Sequence, residues 1–149
     1  MNYKKLSLIA ITCLSLLKPL DVYSSKNKYF VQRVIDGDTF VIENKERVRL
    51  IGIDTPEKGE PCYFEAKKKL EDLILDEKVV LKKDISERDR YHRLLRYTYK
   101  NKLFVNLEMI ESGYAHASPY TPDIKYKEIF KKAEHEAKKQ KIGCLWKKP

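Results

Sequence analysis

Glycine and proline are scarce, five and six in 149 residues, so nothing suggests a low-complexity chain. No segment repeats another. One apolar run stands out, Leu6 to Leu17, and its 12 residues are too few to cross a bilayer comfortably. No Ser-His-Asp spacing, Walker loop or zinc pattern occurs, which leaves serine-nucleophile, P-loop and zinc chemistries without their residues. Of the three histidines, His92 sits in a charged stretch, where a lone histidine is more often a surface group than a base. His116 and His135 carry still less weight.

What is present is a globular composition, 42% hydrophobic with ten tyrosines, enough for one domain with a proper core. The net charge of +9 favours a polyanionic partner, although basic surfaces also occur without one. Residues 1–24 read as a secretory signal peptide: Lys4 and Lys5, then the apolar run, then small residues Val22 and Ser24. An uncleaved anchor is the rival reading. Lipid modification of Cys13 is a third, poorly matched by Ala10-Ile11-Thr12. The expectation is an exported chain whose domain spans 25–149. Export would leave Cys62 and Cys144 as an even pair in an oxidising compartment. They are read as a disulfide, against two partly buried thiols.

Runs of β-branched and aromatic residues predict strands over Lys28–Ile35, Thr39–Glu43, Arg47–Ile53, Val79–Lys83, Leu94–Lys100 and Leu103–Val105. Three- and four-residue apolar spacing predicts helices over Cys62–Leu75, Asn106–Ser112 and Asp123–Lys141. Gly113 suits the end of the second. Trp146 is expected to fold the tail back on the core. Consecutive short strands with a helix after the third fit an α+β, mainly β fold: a five-stranded OB barrel with three helices. From Lys125 to Lys148 nine lysines face three glutamates. A solvated helix face is the plain reading, and attraction of a polyanion the other.

The chemistry concentrates between Ile35 and Glu57. Asp36-Gly37-Asp38-Thr39 is by itself a tight turn with positive φ available at glycine. Asp54-Thr55-Pro56-Glu57 is by itself a helix start. A hairpin joins the two, so its outer ends meet and Asp38 approaches Asp54 and Glu57. Three acids together repel unless a cation or arginines offset them, and Arg49 lies on the return strand. Such oxygens suit a hard cation, and a guanidinium suits a phosphate. Asp89-Arg90-Tyr91-His92-Arg93-Leu94 reads either as a charged loop or as guanidiniums and a phenol facing phosphates.

Asp36-Gly37-Asp38-Thr39, Arg49-Leu50-Ile51-Gly52-Ile53-Asp54-Thr55-Pro56-Glu57, Asp89-Arg90-Tyr91-His92-Arg93 and Gly143-Cys144-Leu145-Trp146 resemble, in that order, the staphylococcal nuclease family. The resemblance runs from Tyr29 to Trp146. It implies the same OB barrel and a Ca²⁺-dependent hydrolysis of DNA and RNA phosphodiesters to 3′-phosphorylated products. It implies Asp38, Asp54 and the Thr55 carbonyl as metal ligands, and Glu57 as the residue that orients or deprotonates the attacking water. Arg49 and Arg93 would hold the phosphate and offset its transition-state charge. Arg90 and Tyr91 stand where the family contacts a terminal phosphate. The chain departs from the family at His92, usually glycine, at Pro119 and Tyr120, and in a short loop over Lys58 to Pro61.

The expectation is therefore a monomeric exported nuclease with little sequence preference, acting on DNA and RNA with single strands favoured. One rival is a non-catalytic OB module that binds single strands or serves as an interaction domain. Another is a secreted structural protein whose acids hold Ca²⁺ for stability. A mere binder needs neither Glu57 nor paired aspartates, and a purely structural Ca²⁺ site leaves Arg49 and Arg93 without an anion to meet.

Overall fold

The computed structural model describes residues 28–147, and the signal-peptide reading lies outside them. In chain order the elements are β1 (Lys28–Val34), β2 (Thr39–Ile42), β3 (Arg47–Leu50), β4 (Ile53–Asp54), α1 (Tyr63–Ile74), β5 (Lys78–Lys82), β6 (Leu94–Lys100), β7 (Leu103–Phe104), α2 (Val105–Glu111), β8 (His116–Ala117), α3 (Lys127–Lys139) and α4 (Gly143–Trp146). Strands β1, β2, β3, β5 and β6 run side by side in the order β3-β2-β1-β5-β6. A parallel pairing of β3 with β6, Arg49 opposite Leu95, closes them into a five-stranded barrel. This is an OB-type barrel with helices packed outside it. The helices are the three expected and a short fourth.

Burial explains why these segments close. All four residues of β2 are buried, as a strand covered on both faces requires. Phe40 and Ile42 meet Val31, Val34, Val48, Leu50 and Tyr97 in one core. Truncating Phe40 to alanine there would cost roughly 3–5 kcal/mol. The β1–β2 register slips between Val31 and Arg33, which puts an extra residue at Gln32. Such a bulge deepens the twist that a small barrel needs. α1 docks through Ala66, Leu70 and Ile74, and α3 through Phe130, Ala133 and Ala137.

Two predicted elements are shorter by three residues or more. The third strand, expected through Ile53, stops at Leu50. Gly52 turns there with φ of 77°, and a Cβ on it would stand 2.6 Å from the Phe130 ring. The chain resumes as β4, which pairs with β8 instead of the barrel, Asp54 opposite His116. The last helix, expected from Asp123, begins at Lys127. Asp123 is buried, and its carboxylate accepts the N–H groups of Ile85 at 2.9 Å and Ser86 at 2.8 Å. It tethers a loop across the fold and is not free to open a helix.

The C-terminus is tied down at two points. Cys62 and Cys144 form a disulfide with Cα atoms 5.7 Å apart, joining the start of α1 to α4. The Trp146 ring stands edge-on to His116, centroids 5.1 Å apart.

Candidate active site

Thr39 opens β2 and pairs directly with Arg49 on β3. That register sets the end of the hairpin. Gly37 lets the preceding turn press against its neighbours: a Cβ there would lie 2.7 Å from Thr55 Oγ1 and 2.9 Å from Ala66 Cβ. The glycine serves this close approach, since Gly37 does not adopt the positive φ that a left-handed turn would require.

Asp38 is thereby pushed inside. Its Oδ2 accepts the Thr55 N–H at 3.2 Å and the Thr55 hydroxyl at 3.1 Å. Its Oδ1 accepts the Thr39 hydroxyl at 2.9 Å. Arg49 reaches Asp38 Oδ2 through Nη1 and Asp54 Oδ1 through Nη2, both at 2.9 Å. One guanidinium thus bridges both aspartates, with Asp38 almost covered and Asp54 half open to solvent. Burial pushes the Asp38 carboxyl up to about 7, against the pull of Arg49 and with Asp36 adding to the rise. Arg49 offsets only part of the burial cost.

Arg93 enters from the other side. It follows the turn at Asp89, whose Oδ1 accepts the N–H groups of Tyr91 at 2.9 Å and Arg93 at 3.0 Å. Asp89 Oδ2 accepts Arg93 Nε at 2.6 Å. Burial alone would raise the Asp89 carboxyl, but the Arg93 side chain and these N–H groups hold it below the usual range. Arg93 Nη1 donates to Thr39 Oγ1 at 3.2 Å, and Thr39 donates onward to Asp38. The two arginines are therefore linked through Thr39 and Asp38. Both line a cleft of about 590 Å³ together with Arg88, Arg90, Tyr91 and Tyr120.

A family model described as "Staphylococcal nuclease homologue" matches residues 47–148. The chain belongs to this family. The thermonuclease of Staphylococcus intermedius is 35% identical over 127 residues, 79% of this chain and 75% of that protein. The thermonuclease of Staphylococcus hyicus is 35% identical over 132 residues, 83% and 78% of the two chains. The micrococcal nuclease of Shigella flexneri is 33% identical over 132 residues, 80% and 73%.

Of the residues in the staphylococcal nuclease motifs, Asp38, Arg49, Asp54 and Thr55 converge, and Arg93 joins them through Thr39. Arg90 and Tyr91 lie on the cleft, exposed, with Arg90 Nη2 donating to the Tyr91 hydroxyl at 2.7 Å. Tyr91 also lies under Arg93, the guanidinium carbon 5.5 Å from its ring centroid. Glu57 stands apart. Its N–H donates to Glu60 Oε2 at 2.7 Å in an exposed turn, and the structure does not tie its carboxylate to Asp38, Arg49 or Asp54. Glu57 is exposed, as Asp54 is, and forms no ion pair with Arg49 or Arg93 among the described residues. Among the described residues no group of three or more His, Cys, Asp or Glu is gathered for a metal. The helix-start reading of Asp54-Thr55-Pro56-Glu57 also fails, since α1 begins only at Tyr63.

His92 adopts φ of 63°, the left-handed region that glycine tolerates best. Two residues matter more than their sequence context suggested. Thr39 couples the two halves of the site, and Asp89 holds Arg93. The Asp89–Arg93 spacing of four was the visible clue to the second. Nothing in the sequence alone pointed to the first beyond its place after Asp38.

Proposed function

We propose that this chain is an exported, monomeric, Ca²⁺-dependent nuclease. It hydrolyses DNA and RNA phosphodiesters with little sequence preference and leaves 3′-phosphorylated products. Membership of the family and relatives named as nucleases support phosphodiester hydrolysis on a nucleic-acid substrate. One observation carries the reading furthest: Arg49 and Arg93, linked through Thr39 and Asp38, meet at one cleft. A phosphodiester is anionic and repels an incoming hydroxide, so positive groups fixed in advance are the main requirement.

The donor set suits Ca²⁺. Two carboxylates that share one guanidinium match a hard cation that takes oxygen ligands and keeps waters. Asp38, Asp54 and the Thr55 carbonyl are the residues assigned to hold it. Bound there, it would supply further electrostatic stabilisation of the phosphoryl oxygens. Arg49 and Arg93 orient the phosphate and offset its developing charge. Arg90 and Tyr91 are assigned to a neighbouring phosphate. Glu57 is assigned to the water, where positioning counts for more than basicity in so weak a base.

The exposure of Glu57, with no ion pair to either arginine among the described residues, favours a second reading, a binding module that does not cut. A nuclease assay on the chain from residue 25, on single-stranded DNA and RNA, with Ca²⁺ and with chelator, separates the two. Cleavage that chelator abolishes supports the proposal. Tight binding without cleavage supports the module, and full cleavage in chelator removes the metal assignment.

A further inference from the structure

Two lysine-rich helices differ in how their charge is used. On α1, Lys67, Lys68 and Lys69 pair with Glu71, Asp72 and Glu108. On α3, Lys127, Lys131, Lys132, Lys138 and Lys139 form no ion pair among the described residues, although Glu128, Glu134 and Glu136 share the helix. Glu134 turns instead to His116, its Oε1 3.0 Å from Nδ1. Lys138 lies over the Trp146 ring, 5.5 Å from its centroid. Apart from Lys138, these lysines have no partner in the described fold.

The lysines of α3 fall into two rows. Phe130, Ala133 and Ala137 face the core. Positions 127, 131, 134 and 138 recur at three- and four-residue steps along one flank, and Lys132 and Lys139 lie on the other. The first flank faces β8, because Glu134 meets His116 and Lys138 meets Trp146. His116 pairs across the β4–β8 ribbon with Asp54, at the acidic end of the site. Tyr120, Pro122 and Asp123 line the cleft and lead into α3. The row of Lys127, Lys131 and Lys138 therefore continues from the cleft. It is roughly 16 Å long at the helical rise, about five phosphates of a stacked strand.

We propose that Lys127, Lys131 and Lys138 form a track for the phosphate backbone of a single nucleic-acid strand running out of the cleft, so that long strands are held more tightly than short ones. The identity of the strand rests on the nuclease reading. Two acids border the track. Glu134 lies within the row with its carboxylate on His116, and Asp54, shared with Arg49, pairs with His116 across the β4–β8 ribbon. An anionic lipid surface is the other polyanion to consider, but it has no reason to prefer the cleft-side row over Lys132 and Lys139.

The test is fluorescence anisotropy in chelator, with strands of about 20 and about four nucleotides. It compares the wild type with Lys127→Gln/Lys131→Gln/Lys138→Gln and with Lys132→Gln/Lys139→Gln. The triple variant is expected to raise Kd for the long strand about tenfold or more. It should also flatten the salt dependence by about two units of slope, roughly 0.7 for each phosphate that is no longer neutralised. Binding of the short strand should stay within about twofold, as should long-strand binding by the double variant. Unchanged long-strand binding in the triple variant, an equal loss at both lengths, or an equal loss in the double variant overturns the track. So does loss of binding to phosphatidylglycerol vesicles with long-strand binding intact. Cleavage with Ca²⁺, measured in parallel, keeps the two ideas apart. Row-dependent binding without cleavage defeats the nuclease reading alone, whereas cleavage with a row-independent KM at both lengths defeats the track alone.

Discussion

Arg49 and Arg93 serve one cleft from two kinds of support. Arg49 projects from a strand fixed on both sides, by Thr39 of β2 and Leu95 of β6. Its position is a by-product of closing the barrel. Arg93 follows a turn that Asp89 holds with three hydrogen bonds, and His92 beside it adopts a left-handed backbone that L-residues rarely take. The first arginine costs the fold nothing extra, while the second depends on one carboxylate. Removing the head groups should therefore cost alike, and removing the supports should not.

The largest effects are expected at the charges themselves. Arg49→Ala and Arg93→Ala should each lower kcat by roughly 10²-fold or more, the scale for losing one preorganised transition-state donor. Arg93→Lys should recover only part, since an ammonium lacks the planar fork. Steady-state kinetics on a short single strand measures this, and near-normal kcat in both alanine variants would remove the arginines from the chemistry. Glu57→Gln belongs in the same range if Glu57 acts on water: kcat down on the order of 10²-fold with Ca²⁺ affinity and melting temperature nearly unchanged. Asp54→Ala should do the reverse, weakening Ca²⁺ binding first. Wild-type single-turnover rates in Glu57→Gln would show that the exposed position of Glu57 in the structure is also its working position.

A smaller effect is expected at the support of Arg93. Asp89→Ala leaves the guanidinium in place but frees it and two backbone N–H groups. A loss of about tenfold in kcat and about 1–2 kcal/mol in stability should follow. Thermal melts and kinetics on the same sample test the contrast. If Asp89→Ala cuts at the wild-type rate, Arg93 is held well enough by Thr39, and the turn is no weaker a platform than the strand.

The same contrast decided what could be read from the sequence. Alternating apolar residues around Arg49 and the facing Thr39 reveal a hairpin, and the hairpin brings Asp38 to Asp54. Local rules reach that far. They fail at Gly52, where the Phe130 ring, nearly 80 residues away in the chain, decides that β3 must end. They fail at Asp123, where the predicted helix is expected to start and the carboxylate instead satisfies Ile85 and Ser86 across the fold. They fail at Pro56, where a good helix-starting tetrapeptide gives way to a turn and α1 waits until Tyr63. In each case the competing partner is distant in sequence and therefore invisible to a local pattern. Arg93 is an intermediate case, since its residue type is visible but the Thr39 link that places it is not.

The smallest effects, and the sharpest form of the comparison, lie in how the two supporting acids titrate. In chelator, burial lifts Asp38 to about 7. The folded state then holds a proton that the unfolded chain releases near pH 4. Stability from this group is fully present below about pH 4 and is lost as pH rises towards 7. Asp89 goes the other way. Its folded carboxyl lies below the usual range, so its contribution is present above the unfolded value and is lost as pH falls. Asp38→Asn removes a group that destabilises more as pH rises, so its melting temperature relative to wild type should improve from pH 4 to pH 8. Asp89→Asn removes a group that stabilises more as pH rises, so its deficit should widen over the lower part of the same interval. Opposite slopes, measured in melts with chelator at four or five pH values, are the expected outcome. Parallel slopes would mean that Arg49 neutralises Asp38 as fully as Arg93 neutralises Asp89. The strand side would then have no unmet charge for a cation to satisfy.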